Sequence, residues 1–169
     1  LCDVDASNAE LKADEFGFSR ATTNWRDLLA DPAIHLISIT SPNGMHREMA
    51  VAALETGKHV WCEKPMALTL ADAEAMTAAA AKAKGQVTAL GYAYLRNPAL
   101  QYAKQLINEG VIGEVFDFRG SVDEDYMADP SLPWSWRLTR EQAGLGTLGD
   151  LTCHLVSMAH ELVGEISSL

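Results

Sequence analysis

Strand-like and helix-like segments alternate through the first half of the chain. Runs of β-favouring residues occupy residues 34–40, 58–62 and 87–92. Helical patterns lie between them at residues 46–56 and 70–84, and a glycine follows each. This alternation favours a parallel sheet with helices on its faces, because parallel strands need a long crossover between them. The sequence therefore predicts an α/β fold for this part.

The first residues predict the end of a β-strand whose beginning lies upstream. Residues 1–4 resemble the end of a strand, and no initiator methionine precedes Leu1. Residues 7–15 follow as a helix with Ser7 as its N-cap. Residues 25–29 predict a short helix capped by Thr23 or Asn24. We expect the chain to be part of a longer protein, without its first strand and glycine loop.

The pattern changes between residues 92 and 97. Residues 98–109 have an amphipathic helical pattern, and residues 148–163 predict another helix. Between them, residues 115–119 alternate between apolar and polar side chains, as in a strand with one solvent-exposed face. The long segment 120–147 carries aromatic and polar residues, and a loop of that length is usually functional. We predict two domains, 1–93 and 94–169.

Composition limits the classes of binding partner and the cell compartment that we expect for this protein. The formal net charge is −10. This charge argues against nucleic acid as a binding partner and gives no support for docking on an anionic membrane surface. No apolar run is long enough to span a bilayer. The cysteines Cys2, Cys62 and Cys153 are odd in number and far apart, which is typical of a reduced cytoplasmic protein.

A charged pair follows the predicted strand 58–62. Pro65 donates no backbone hydrogen bond and disfavours a helical Lys64, so Glu63 and Lys64 are predicted to be held at the carboxyl end of the strand. Ligands bind at that edge of open α/β sheets. The alternative is a surface ion pair followed by an ordinary strand stop.

Two further groups lie at predicted strand ends. Asp3, with Asp5 behind it, is placed to bind the adenosine ribose of NAD, and a carboxylate there disfavours NADP; the alternative is a solvated carboxylate. A second group offers hydroxyl, amide and imidazole groups beside a helix N-terminus, where a cofactor can bind, or merely caps that helix. Its members are Thr40, Ser41, Asn43 and His46.

A third group begins the last predicted helix. Asp150 and His154 are four residues apart, so they share one helix face and can act on one substrate atom as orienting carboxylate and proton acceptor. The alternative is a carboxylate favoured by the helix dipole and an unrelated histidine. Two ligands without a third do not make a metal site. Three aromatic residues of the segment 120–147 are predicted either to line a substrate pocket or to form the core beneath the loop. They are Tyr126, Trp134 and Trp136.

The order of three motifs resembles the Gfo/Idh/MocA oxidoreductase family over nearly the whole chain. These are Thr-Ser-Pro-Asn-x-x-His (40–46), Gly-Lys-His-Val-x-x-Glu-Lys-Pro (57–65) and Gly-x-Gly-x-x-Gly-Asp-x-x-x-His (144–154). The resemblance implies a Rossmann-type, doubly wound parallel sheet. It also implies an α+β domain whose mainly antiparallel open sheet often forms the interface of a dimer or tetramer.

The same resemblance implies NAD-dependent hydride transfer at a secondary hydroxyl of a sugar, cyclitol or related polyol. It makes Lys64 and His154 the acid–base pair, with Asp150 beside them. The residues that it places on the cofactor side are Thr40, Ser41, Asn43, His46, Glu63, Lys64, Trp136 and Arg137. Those expected at the substrate are Tyr126, Arg137, Asp150 and His154. Rival functions are an NAD-dependent glycoside hydrolase and a non-catalytic NAD-binding regulator.

Overall fold

Three parallel strands and seven α-helices follow one another in the computed structural model, which describes residues 1–168. The strands are β1 (Leu36–Ile39), β2 (His59–Cys62) and β3 (Thr88–Leu90). The helices are α1 (Ala6–Phe16), α2 (Trp25–Ala30), α3 (His46–Glu55), α4 (Leu70–Lys82), α5 (Pro98–Asn108), α6 (Arg140–Ala143) and α7 (Cys153–Leu162).

The sheet confirms the predicted parallel α/β arrangement. Its strands run in the order β1-β2-β3, and Ile39 and Leu90 flank Cys62 in the register. All three strands therefore end at one edge of the sheet. Because the described strands lie in chain order, the reversal that defines a doubly wound sheet is not among them.

Helix α3 covers β1 and β2 and packs against α4. Ala50 and Ala53 are buried, and such small side chains allow the helix axis to approach the sheet. The buried cluster consists of Leu29, Ile39, Ala50, Ala53, Leu54, Val60, Cys62 and Met76. Burial raises the pKa of the Cys62 thiol to about 12, with a smaller effect of Glu63, so this thiol is a packing residue.

Two predictions at the start of the chain were wrong. Residues 1–4 form a single parallel bridge, Cys2 to Thr22, instead of a strand of the sheet. The N-cap of α1 is Asp5 and not Ser7, because Asp5 has extended backbone and its carboxylate accepts from the Asn8 N–H at 2.8 Å. Asn24, one of the two caps expected for α2, does cap it.

The predicted strand at residues 115–119 was also wrong. This segment has no regular secondary structure and no strand partner in the described chain, and Phe116 is 96% exposed. An alternating pattern forms a strand only where a neighbour completes its hydrogen bonds. No second sheet, antiparallel or otherwise, occurs within residues 1–168.

Helix α5 and the last helix are placed as predicted, with one change at the last, whereas α6 lies within the segment 120–147 predicted to be a loop. Asn97 caps α5, and Pro98 occupies its first turn. The last predicted helix begins with a π-helical turn at Leu148–Thr152 and continues as α7. Within residues 1–168, no helix has the length and apolar character needed to span a membrane.

Candidate active site

Lys64 joins the two halves of the described chain. The ladder between β1 and β2 extends one residue past β2, where the Glu63 N–H donates to the Ile39 carbonyl at 2.9 Å. The Lys64–Pro65 peptide bond that follows is cis. Lys64 Nζ lies 2.5 Å from Asp150 Oδ1 and 2.9 Å from the Asp150 carbonyl oxygen. The predicted charged residue at the sheet edge therefore forms a long-range ion pair.

Asp150 is held from two sides. Its second carboxylate oxygen accepts from the Tyr126 hydroxyl at 3.0 Å. Burial alone would raise the pKa of Asp150. The hydrogen bond and charge of Lys64, with smaller contributions from Tyr126 and Arg137, outweigh burial and hold that pKa below its ordinary value. Asp150 is thus an anion at neutral pH that keeps the Lys64 ammonium in place.

His154 lies further along, in the first turn of α7, and is 95% buried (5% exposed). Its ring stacks on Tyr94 with centroids 4.3 Å apart, and Tyr92 meets it edge-on at 6.1 Å. Burial and the positive charge of Lys64 lower the pKa of His154, against the opposing charge of Asp150. The imidazole is therefore neutral at pH 7 and can accept a proton.

The π-helical turn changes how Asp150 and His154 are related. The prediction assumed one regular α-helix with both side chains on one face, but Asp150 lies in the wider turn and His154 in the α-helix. Within the described residues, Asp150 is hydrogen-bonded to Lys64 and Tyr126, whereas the His154 Nδ1 atom is buried without a partner. π-helical turns within α-helices occur frequently at functional sites.

The predicted cofactor-side residues lie at the ends of β1 and β2, in different environments. Thr40 is exposed and Ser41 is half-buried. The buried amide of Asn43 donates to the Ala143 carbonyl at 3.4 Å, which ties this turn to α6. His46 is fully buried. The Glu63 carboxylate accepts from the Lys64 N–H at 3.0 Å.

An open cleft lies beside this edge. The Arg137 guanidinium lies 4.5 Å from the Trp136 ring, so the two side chains form one cation–π unit on its wall. Asn43, Tyr126 and Asp150 contribute polar groups to the same cleft. The lining residues are Asn43, Tyr126, Met127, Trp136, Arg137, Leu138, Ala143, Gly146, Thr147 and Asp150.

Asp3 is not among the cleft residues. It precedes α1, and its two carboxylate oxygens accept from the Asp5 N–H at 2.9 Å and from Asn8 Nδ2 at 2.7 Å. These bonds orient the carboxylate at the start of the chain. Its role toward a ribose stays a prediction.

Two residues of the site were missed by the sequence reasoning. A Cβ atom at Gly91 would lie 2.9 Å from Glu63 Oε1 and 3.0 Å from Trp61 Cζ2, so only glycine leaves room for the Glu63 carboxylate. Its place near the end of the predicted strand 87–92, where glycine is uncommon, was the available signal. Tyr94, which stacks on His154, gave no signal beyond being an aromatic residue near the change of pattern.

Comparison with protein families decides the relationship. Residues 1–91 match the family model described as "Oxidoreductase family, NAD-binding Rossmann fold", and residues 100–169 match the GFO/IDH/MocA C-terminal domain. The chain belongs to the Gfo/Idh/MocA oxidoreductase family. The resemblance inferred from the three motifs is thereby confirmed.

Two curated relatives show the range of this similarity. Levoglucosan dehydrogenase of Pseudarthrobacter phenanthrenivorans is 45% identical over 169 residues, covering 98% of this chain and 43% of the relative. Inositol 2-dehydrogenase of Salmonella typhimurium is 31% identical over 115 residues, covering 68% of this chain and 34% of the relative. The chain thus spans less than half the length of these Gfo/Idh/MocA relatives.

Solved structures agree with this relationship. A levoglucosan dehydrogenase in complex with NADH and levoglucosan superposes with a TM-score of 0.93 at 42% identity, covering 98% of this chain and 45% of that one. The complex with NADH and L-sorbose gives 0.93 at 43% identity, covering 98% and 44%. Residues 1–91 therefore have the Rossmann fold of the Gfo/Idh/MocA family.

Proposed function

We propose that the protein oxidises a secondary hydroxyl of a sugar, cyclitol or related polyol with NAD as the hydride acceptor. The observation that carries this proposal is the contact of Lys64 Nζ with the Asp150 carboxylate at 2.5 Å, with His154 in the next turn. A cation, an anion and a neutral imidazole beside a cleft form the set that proton removal from an alcohol requires.

Each of the three side chains has its own role in this mechanism. The Lys64 ammonium donates a hydrogen bond to the substrate oxygen and stabilises its developing negative charge. His154 accepts the hydroxyl proton, for which its lowered pKa keeps it neutral. Asp150 orients Lys64 and accepts a hydrogen bond from a neighbouring substrate hydroxyl. NAD, when bound, supplies the carbon that accepts the hydride.

The residues present fit NAD at two places. Asp3 offers an oriented carboxylate, which can accept hydrogen bonds from ribose hydroxyls and would repel a 2′-phosphate, so we prefer NAD to NADP. The cleft offers the Arg137 guanidinium on the Trp136 ring and polar groups of Asn43 and Thr147. Thr40, Ser41 and Glu63 would complete the cofactor side at the ends of β1 and β2.

The substrate class rests on the cleft and on the relatives. Tyr126, Arg137 and Asp150 are hydrogen-bonding groups on the cleft wall, as a polyhydroxylated ligand needs. The similar solved structures are complexes with levoglucosan and with L-sorbose. We therefore infer a cyclic sugar or an anhydrosugar for this protein, held with one hydroxyl at Lys64 and His154.

Several structural expectations belong to the same proposal. We place the domain boundary between residues 93 and 94, in the turn Ala93–Arg96 that precedes α5. In the full-length protein we expect a doubly wound sheet and a mainly antiparallel second sheet that supports a dimer or tetramer. Free Cys2, Cys62 and Cys153 agree with a cytoplasmic location.

The test is NADH formation by the full-length protein with a panel of sugars. The panel contains levoglucosan, L-sorbose, myo-inositol, glucose and a p-nitrophenyl glucoside, each with NAD and with NADP, and NADH absorbance, p-nitrophenol release and NAD binding are recorded. We expect turnover with NAD and at least one cyclic member. Turnover of a glycoside without NADH release would replace the proposal by an NAD-dependent glycosidase. NAD binding without any turnover would replace it by a regulatory protein.

A further inference from the structure

His46 is the most deeply buried polar side chain near the candidate active site. Its exposed fraction is 0%. Nδ1 lies 2.9 Å from the Pro65 carbonyl oxygen and Nε2 lies 3.0 Å from the Ser41 carbonyl oxygen. Both ring nitrogens are thus engaged by backbone, and no part of the ring faces the cleft. Direct contact with a cofactor, which the motif implied, does not account for this environment.

The two carbonyl groups belong to the chains that leave β1 and β2. The last backbone hydrogen bond between these chains joins the Glu63 N–H to the Ile39 carbonyl. Beyond it, Pro42 and Pro65 have no N–H group with which a ladder could continue. The carbonyls of the half-buried Ser41 and Pro65 therefore need other partners. With its proton on Nδ1, His46 at the start of α3 donates to the Pro65 carbonyl and replaces the missing rung on the β2 side.

Lys64 lies between these two fixed points. On one side Glu63 is paired with β1, and on the other the Pro65 carbonyl is held by His46. The backbone of Lys64 is therefore restrained at both neighbours while its ammonium reaches Asp150. We propose that His46 is a positioning residue, which holds the Lys64 backbone so that the ammonium points at the substrate oxygen.

This inference rests on the proposed function, and its test separates the two. We would compare His46→Gln, which keeps one amide donor, with His46→Phe, which keeps the ring volume without donors, in the full-length protein. The matched control is His59→Gln. His59 also bonds to backbone, since its Nδ1 accepts from the Val87 N–H at 2.8 Å, but it lies at the opposite end of β2.

The kinetic readout is the division of the effect between kcat and cofactor binding. Misplacement of a reacting group by about 1 Å costs roughly a hundredfold, so we expect kcat to fall about tenfold in His46→Gln and about a hundredfold in His46→Phe. The NADH dissociation constant should change by less than about twofold, because His46 only positions Lys64. His59→Gln should leave kcat unchanged.

A second readout does not depend on turnover. Reductive methylation of Lys64, quantified by mass spectrometry against exposed Lys84, should be slow in the wild type and several-fold faster in both His46 variants. It should be unchanged in His59→Gln. If no sugar gives NADH, the proposed function fails, but the methylation result still decides the role of His46.

Three outcomes would overturn the positioning role. Equal methylation of Lys64 in wild type and variants shows that His46 does not restrain it. A weakened NADH affinity with unchanged kcat assigns His46 to the cofactor instead. Failure of both His46 variants to fold, while His59→Gln folds, makes His46 a core residue of the fold and nothing more.

Discussion

The two parts of the chain on either side of Tyr94 are ordered by different means. From β1 to Gly91, strands pair with neighbouring strands, and helices are closed by their own caps. After α5, residues 109–135 contain no helix or strand, and Phe116 and Trp134 are largely exposed. Yet this second part supplies Tyr126, Asp150 and His154. The first part provides the rigid edge, and the second brings the chemistry to it.

Few contacts join the parts, and they are concentrated at the candidate active site. Lys64 is bonded to Asp150, Asn43 is bonded to the Ala143 carbonyl, and Tyr94 stacks on His154. The comparison implies that damage to the first part impairs positioning and cofactor binding. Damage to the second impairs proton transfer and substrate recognition. The predictions below test this division, from the largest effect to the smallest.

Replacement of Lys64 by alanine should have the largest effect. The variant loses the ammonium that we propose binds the substrate oxygen, so we expect kcat to fall by roughly 10²–10⁴-fold. NADH affinity should stay within about threefold of wild type, because the cation acts on the substrate. Steady-state NADH formation and NADH fluorescence titration measure the two quantities. Lys82→Ala, at the end of α4, is the control, and equal turnover in both variants would refute the assignment.

Replacement of Asp150 by asparagine should have the next largest effect and should also move the pH profile. Loss of the anion frees Lys64, so we expect kcat to fall about tenfold to a hundredfold. The Asp150 charge raises the pKa of His154 against the lowering effects of burial and Lys64.

The direction of the pH shift follows from that balance. In the proposed mechanism His154 acts as a base only when neutral, so we expect activity to be lost as pH falls through its pKa, which lies below the ordinary histidine value. Without the Asp150 charge the pKa falls further, and the acid limb of kcat/KM moves to lower pH. Asp117→Asn, at an exposed ion pair with Arg119, should leave the limb in place. A shift to higher pH would contradict this account.

The first part of the chain was easier to predict from its sequence than the second part. The parallel alternation was predictable because strand and helix periods, caps and glycine stops are local in sequence. Lys64 was predictable for the same reason, since Pro65 marks the strand end beside it. Residues 115–119 carried an equally regular pattern, but a strand also needs a partner, and the described chain offers none there.

The geometry of the second part depended on information that spacing does not contain. The i, i+4 spacing singled out Asp150 and His154 as candidates, but it did not reveal the π-helical turn that separates their environments. Tyr94 and Gly91 were missed because their roles arise from contacts across the chain, with His154 and Glu63. His46 carried a motif signal, whereas its burial between two backbone carbonyls was visible only in three dimensions.

Replacement of Gly91 by alanine tests the cofactor side of the first part. The added Cβ would lie 2.9 Å from Glu63 Oε1, so the Glu63 carboxylate must move. Overpacking of this kind costs about 1–3 kcal/mol, and we expect the NADH dissociation constant to rise about fivefold to tenfold. Gly120→Ala is the matched control, because its added Cβ would crowd Leu155 at 2.7 Å instead of Glu63. Unchanged NADH binding in both variants would remove Glu63 from the cofactor side.

Replacement of Tyr126 by phenylalanine should have the smallest effect, because it removes one hydroxyl from the second part and leaves the ring. The lost hydrogen bond to Asp150 measures 3.0 Å, and Tyr126 is 49% exposed. Solvent compensates for much of such a bond, so we expect kcat/KM to fall about twofold to fivefold. Tyr102→Phe, at an exposed tyrosine on α5, is the control. A loss as large as that of Lys64→Ala would mean that the Tyr126 hydroxyl itself takes part in proton transfer, and the division between positioning and chemistry would need redrawing around Tyr126.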